Sequence, residues 1–141
     1  AGSQNVIEVH GSMGRLGCPQ CARSYPVEDF VEPFIRQSEI PTCPACGTVL
    51  KPAIVLFEEM LPEDAWSEAE RHFTAADLVL VVGSSLEVMP AGSLPLYALE
   101  RGAGLIINTL SETYLDEQAD VLLPFDVAAT LPAIVAELEK Q

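Results

Sequence analysis

The alternation of apolar and polar positions along the chain predicts an ordered series of strands and helices. Residues 6–10 alternate, with Val6, Glu8 and His10 on one face and Ile7 and Val9 on the other. That pattern predicts a short strand delivering His10 to its C-terminal end, broken by Gly11-Ser12. Between residues 25 and 34, Val27, Phe30, Val31 and Phe34 recur at helical spacing. The compact apolar run 53–57 predicts a buried or partly buried strand. Pro62, followed by Glu63 and Asp64, predicts a helix from about 62 to 76 whose apolar stripe is Ala65, Trp66, Ala69 and Phe73. His72, among charged neighbours on that helix, reads as a solvated residue.

Two strands of the doubly covered, parallel kind follow, 78–82 ending in Gly83-Ser84-Ser85 and 104–107 ending in Asn108. Residues 90–101 between them predict a helix stopped by Gly102. A shorter strand, 121–123, leads to Asp126-Val127, and a last helix places Leu131, Ile134, Val135 and Leu138 on one face. Strand, helix, strand, helix with apolar strands predicts an α/β fold around an open parallel sheet. Ligands of such sheets bind at the carboxyl ends of the strands. Those ends here carry His10, Gly83, Ser84, Ser85, Asn108 and Val127. Glycine permits close backbone approach, and hydroxyl and amide side chains bond phosphate or ribose oxygens; the same residue types also simply make turns after strands. Gly102-Ala103-Gly104 is not a dinucleotide fingerprint, because it precedes a strand and lacks the third glycine.

Composition narrows the classes. At 141 residues and 49% hydrophobic the chain can bury a core. Seven basic against 21 acidic residues give a net charge of −14, which argues against nucleic acid and tolerates a cationic partner such as a lysine-bearing peptide. No apolar run approaches the ~18 residues of a membrane span. Paired cysteines with no visible targeting segment predict a cytoplasmic protein. The chain opens Ala1-Gly2-Ser3 without an initiator methionine.

All four cysteines lie in two Cys-x-x-Cys pairs, Cys18/Cys21 and Cys43/Cys46, with residues 22–42 between them. Two thiolates two residues apart grip one face of a tetrahedral metal, and a second pair returned by a hairpin closes the other. The spacing predicts one structural Zn2+ in a module of residues 14–52, with residues 1–13 and 53–141 forming the larger domain. A redox pair and a disulfide framework remain as alternatives. A four-cysteine site has no open position for substrate, so the chemistry belongs elsewhere.

Taken in order, Ile7-Glu8-Val9-His10-Gly11, the two cysteine pairs, Pro52-Ala53-Ile54-Val55-Leu56-Phe57, Gly83-Ser84-Ser85-Leu86-Glu87-Val88 and Ile107-Asn108 give the chain its family likeness. It resembles the sirtuins, NAD-dependent protein lysine deacylases. The resemblance implies a Rossmann-type domain with an inserted zinc module, and transfer of the acyl group of an acyl-lysine protein or peptide to ADP-ribose with release of nicotinamide. It implies His10 as the catalytic general base, a residue type that titrates near neutral pH. It further implies Gly83, Ser84, Ser85, Asn108 and Val127 at NAD+, and Val55, Leu56 and Phe57 as the strand that clamps the substrate peptide by backbone hydrogen bonds. The family usually has Phe-Gly-Glu where this chain has Phe57-Glu58-Glu59. Its glycine-rich Gly-Ala-Gly turn and Gln-Asn-x-Asp motif have no counterpart here, so the resemblance implies the C-terminal portion of such an enzyme. A catalytically inactive zinc-bearing domain or binding module is the alternative.

Overall fold

The computed structural model describes residues 2–140. The chain divides into two compact units, Ala1–Trp66 and Ser67–Gln141. The first is built on an antiparallel sheet of order β2-β1-β3, with β1 at Gly11–Gly17, β2 at Ser24–Pro26 and β3 at Lys51–Ile54. Residues 6–10 are not a strand, contrary to the alternation. They lead into a turn closed by the Gly11 N–H on the Glu8 carbonyl (2.9 Å). Gly11, expected to break a strand, opens one. Its φ is +73°, and a Cβ there would lie 2.0 Å from the Ala53 carbonyl oxygen, so only glycine lets β1 close on β3 at this point. β3 ends at Ile54, three residues short of the expected 57, and the chain then turns away.

Helix α1, Glu28–Gln37, follows β2 and ends at Ser38 (φ 55°), whose N–H donates to the Phe34 carbonyl while that of Glu39 reaches Pro33. This left-handed closure satisfies carbonyls a helix end would otherwise orphan. The core of the unit is small: Leu16, Cys18, Cys43 and Leu50, flanked by Tyr25, Val27 and Phe30. Of the expected apolar stripe, Val27 and Phe30 pack here, whereas Val31 and Phe34 are exposed. Helix α2, Glu63–Thr74, falls where Pro62 and the acidic first turn predict it; Ala69 is its buried residue, and His72 is solvated as expected.

The second unit carries the parallel sheet. Strands β4 (Leu78–Val82), β5 (Gly104–Asn108) and β6 (Val121–Leu123) lie side by side in that order. The expected helix over 90–101 divides into a 3-10 turn, Ala91–Ser93, and a short α3, Leu94–Leu99. Gly92 presses against the Leu86 carbonyl, where a Cβ would lie 2.1 Å away. Val79, Val81, Leu105 and Ile107 form one sheet face, sealed by Leu86, Ala98 and Leu115 with Phe73, Leu96 and Leu99 around them. The other face of β4 stays open, with Leu78 58%, Leu80 46% and Val82 37% exposed. Helix α4, Val127–Leu138, starts from Asp126, whose carboxylate accepts from the Ala128 N–H (2.8 Å). Of its expected apolar face, Ile134, Val135 and Leu138 are exposed. Mixed α/β architecture with a parallel sheet is therefore observed. Among the described residues, no helix is long and apolar enough to cross a membrane.

Candidate functional site

Three constellations carry chemistry. The first is the cysteine cluster, where β1 runs into Cys18 and a bridge between Thr42 and Val49 folds the second pair back. The Cys18 and Cys46 sulfurs stand 3.5 Å apart, Cys21 and Cys43 3.6 Å, and Cys21 and Cys46 3.8 Å. All four lie within 4.8 Å of one another. A tetrahedron of Zn–S bonds near 2.3 Å requires S–S edges of about 3.8 Å, so the set fits one zinc. The close contacts join sulfurs of different pairs, which suits one shared ion better than a redox bond within a pair. Two of the thiols, Cys43 and Cys46, are already biased towards ligation. The Tyr25 phenol, 3.3 Å from Cys43 Sγ, and the amides of Ala45 and Cys46 lower the Cys43 pKa to about 6. Cys46 is lowered by Thr48. Cys21 is helped by the Arg23 backbone, yet burial and the three neighbouring sulfurs push it up to about 11. Four sulfurs so crowded cannot all ionise without a cation among them.

The second constellation is the corner at His10. The imidazole is exposed, and the residue's carbonyl accepts from the Val55 N–H (2.9 Å), so pairing of β1 with β3 fixes His10 beside the run Val55-Leu56-Phe57. A tight turn follows over residues 56–59. The Glu59 N–H donates to the Leu56 carbonyl (3.0 Å), and Glu59 Oε2 accepts from the Leu56 N–H (3.0 Å). Glu59 also pairs with Lys51 of β3. Lys51 first, then the Leu56 amide, hold its carboxyl below the usual carboxylate range. Glu58 occupies the third turn position with φ +71°, where such turns favour glycine. Phe57 is 92% exposed.

The third is the rim at the carboxyl ends of the parallel strands, where Val82, Asn108 and Leu123 stand in register. Asn108 ties the three ends together. Its carbonyl accepts from the Gly83 N–H (2.9 Å), and its side-chain amide donates to the carbonyls of Leu123 (2.8 Å) and Phe125 (2.9 Å). It is fully buried, and among the described residues its Oδ1 has no hydrogen-bond partner. Gly83 has φ +60° with nothing within 4 Å of where a Cβ would sit. Ser84 Oγ accepts from the Leu86 N–H (3.2 Å), and Ser85 Oγ donates to Glu87 (3.3 Å). Val127 opens α4 on the same rim, half-buried. An open glycine turn, two hydroxyls and an unsatisfied buried acceptor fit a nucleotide with hydroxyl donors.

The sequence-predicted residues thus fall into the His10–Val55 corner and the cysteine cluster in one unit, and the rim in the other. Sequence reasoning did not reach Glu59, Lys51, Tyr25 or Thr48. The first two are eight residues apart on elements whose pairing no periodicity announces. The other two support cysteines from outside the Cys-x-x-Cys pattern.

A parallel sheet with an open glycine turn at its carboxyl rim, joined in one chain to a module of four clustered cysteines, defines an α/β protein with a candidate ligand rim and a candidate metal site. The Sir2 family model matches residues 1–90. An NAD-dependent protein deacetylase of Pyrobaculum aerophilum is 41% identical over 138 residues, 98% of this chain and 54% of that protein. An NAD-dependent protein deacylase of Archaeoglobus fulgidus is 42% identical over 141 residues, 99% of this chain and 55% of its own length. Among solved structures, a Sir2 protein bound to a propionylated peptide superposes with TM-score 0.89 at 37% identity, covering 99% of this chain and 59% of that one. A Sir2 complex with a p53 peptide and NAD+ gives the same TM-score and identity, covering 99% and 58%. The chain belongs to the Sir2 family, and it spans about half the length of the curated relatives it matches.

Proposed function

We propose that the protein carrying this chain is an NAD-dependent protein lysine deacylase acting in the cytoplasm on acyl-lysine proteins or peptides. The reading is carried by the His10–Val55 hydrogen bond, which sets a residue with an exposed imidazole beside a short segment that keeps two free backbone groups. Among the described residues, the Phe57 N–H and the Val55 carbonyl bond to no other group. A peptide strand added along Val55, Leu56 and Phe57 satisfies them without reading side chains, which suits an enzyme with many protein substrates. Gly83, Ser84, Ser85, Asn108 and Val127 hold NAD+. Asn108 Oδ1 accepts a hydrogen bond from a ligand hydroxyl there, and the Gly83 turn admits the ligand closely. When bound, NAD+ supplies a cleavable nicotinamide bond and the ADP-ribose that accepts the acyl group. His10 serves as general base, taking a ribose hydroxyl proton on an imidazole nitrogen. Zinc at Cys18, Cys21, Cys43 and Cys46 is structural, since four thiolates leave no site for substrate.

The test is nicotinamide release from NAD+ by the full-length protein, with and without an acetyl-lysine peptide. Release that requires the peptide, and falls at least about a hundredfold in His10→Ala, is expected of a general base. No release by the folded, zinc-loaded protein with any acyl-lysine peptide overturns the reading in favour of an inactive zinc-bearing module.

A further inference from the structure

We propose that Glu58 selects acyl-lysine substrates with Lys or Arg near the modified residue; this rests on the deacylase reading above. The two consecutive glutamates of the 56–59 turn have opposite fates. Glu59 is consumed internally, one oxygen on the Leu56 N–H and the other on Lys51. Glu58 makes no hydrogen bond or ion pair among the described residues, and its side chain is exposed. Lys51, the cation that pairs with this turn, is engaged by Glu59.

The backbone supplies the second observation. Glu58 sits at φ +71°, a left-handed conformation that disfavours a side chain and that glycine adopts without strain. A charged residue with a Cβ held there by the bonds on either side of it is the kind of outlier found at ligand contacts. Glu58 directly follows Phe57, whose N–H is free among the described residues, so a peptide paired to the Val55 carbonyl and the Phe57 N–H runs next to the Glu58 position. Its charge is not offset by the surroundings, in a chain with 21 acidic and 7 basic residues. A cationic side chain one to three residues from the acyl-lysine gains an ion pair, and an acidic one is repelled.

The experiment uses the full-length protein and three fluorescent acetyl-lysine peptides identical except for Lys, Ala or Glu at the flanking positions. Dissociation constants come from anisotropy, and nicotinamide release is followed in parallel. The wild type should bind the Lys peptide about two- to fivefold more tightly than the Ala peptide, the range of a single exposed ion pair. That ratio should shrink as salt rises. It should fall to one in Glu58→Gln, which keeps the side-chain size, and in Glu58→Gly, which relieves the backbone. A ratio of one in the wild type, or an unchanged ratio in Glu58→Gln, overturns the inference whether or not turnover occurs. Charge-dependent binding without nicotinamide release overturns the deacylase reading alone, and absence of peptide binding overturns both.

Discussion

Gly11 shows how much one residue decides. Its missing Cβ lets the Ala53 carbonyl pass within a distance no side chain tolerates, and its positive φ turns the chain from His10 into β1. Gly11→Ala places a methyl group 2.0 Å from that oxygen in a conformation that costs ~1–2 kcal/mol for an L-residue before any clash is counted. The pairing of Gly11 with Ile54 should open, and the His10–Val55 bond with it. Urea unfolding should register a loss larger than the conformational cost alone, and a midpoint equal to wild type would contradict the geometry. The sequence announces a glycine after a histidine, but not the backbone it faces, so Gly11 reads as a strand breaker when it is a close-approach residue. The cysteines are different. Their ligand chemistry is written in residue type and spacing, and the four sulfurs converge as that spacing predicts.

At the level of elements, the apolar runs 78–82, 105–107 and 121–123 are legible because uninterrupted Val, Leu and Ile between turn residues fit strands. The expected cover on both faces is not observed for β4, whose Leu78, Leu80 and Val82 are exposed. The alternation over 6–10 misled because five residues of period two suit a turn approach as well as a strand. The expected helix at 90–101 split because Gly92 must lie against the Leu86 carbonyl, a tertiary contact without a local signature. The zinc module draws on a core of only Leu16, Cys18, Cys43 and Leu50, two of them ligands. Metal binding is therefore a large part of what folds it. Protein purified without added zinc should contain about one equivalent per chain. Cys43→Ala should lose it and expose α1 to protease first. Four freely titrating thiols in folded, metal-free wild type would exclude the site.

At the scale of the whole molecule, this 141-residue stretch expressed alone should release no nicotinamide from NAD+ with an acetyl-lysine peptide. It spans about half the length of its relatives, and its parallel sheet shows solvent the side chains of Leu78, Leu80 and Val82. Such a surface should also bind an apolar dye. Turnover by the pure stretch would mean that the rim and the His10 corner suffice. The open face has a further consequence. Leu78, Val79, Leu80, Val81 and Val82 contain no polar side chain to tell one face of β4 from the other, so sliding the strand by one residue exchanges apolar for apolar. The alignment must be specified at the ends. There the Gly104 N–H meets the Asp77 carbonyl (2.9 Å) and the Leu105 N–H the Asp120 carboxylate (2.8 Å). At the far end Asn108 holds Gly83, Leu123 and Phe125. Asn108 is in this sense a unit of positional information: it tells three nearly interchangeable strands where to stop.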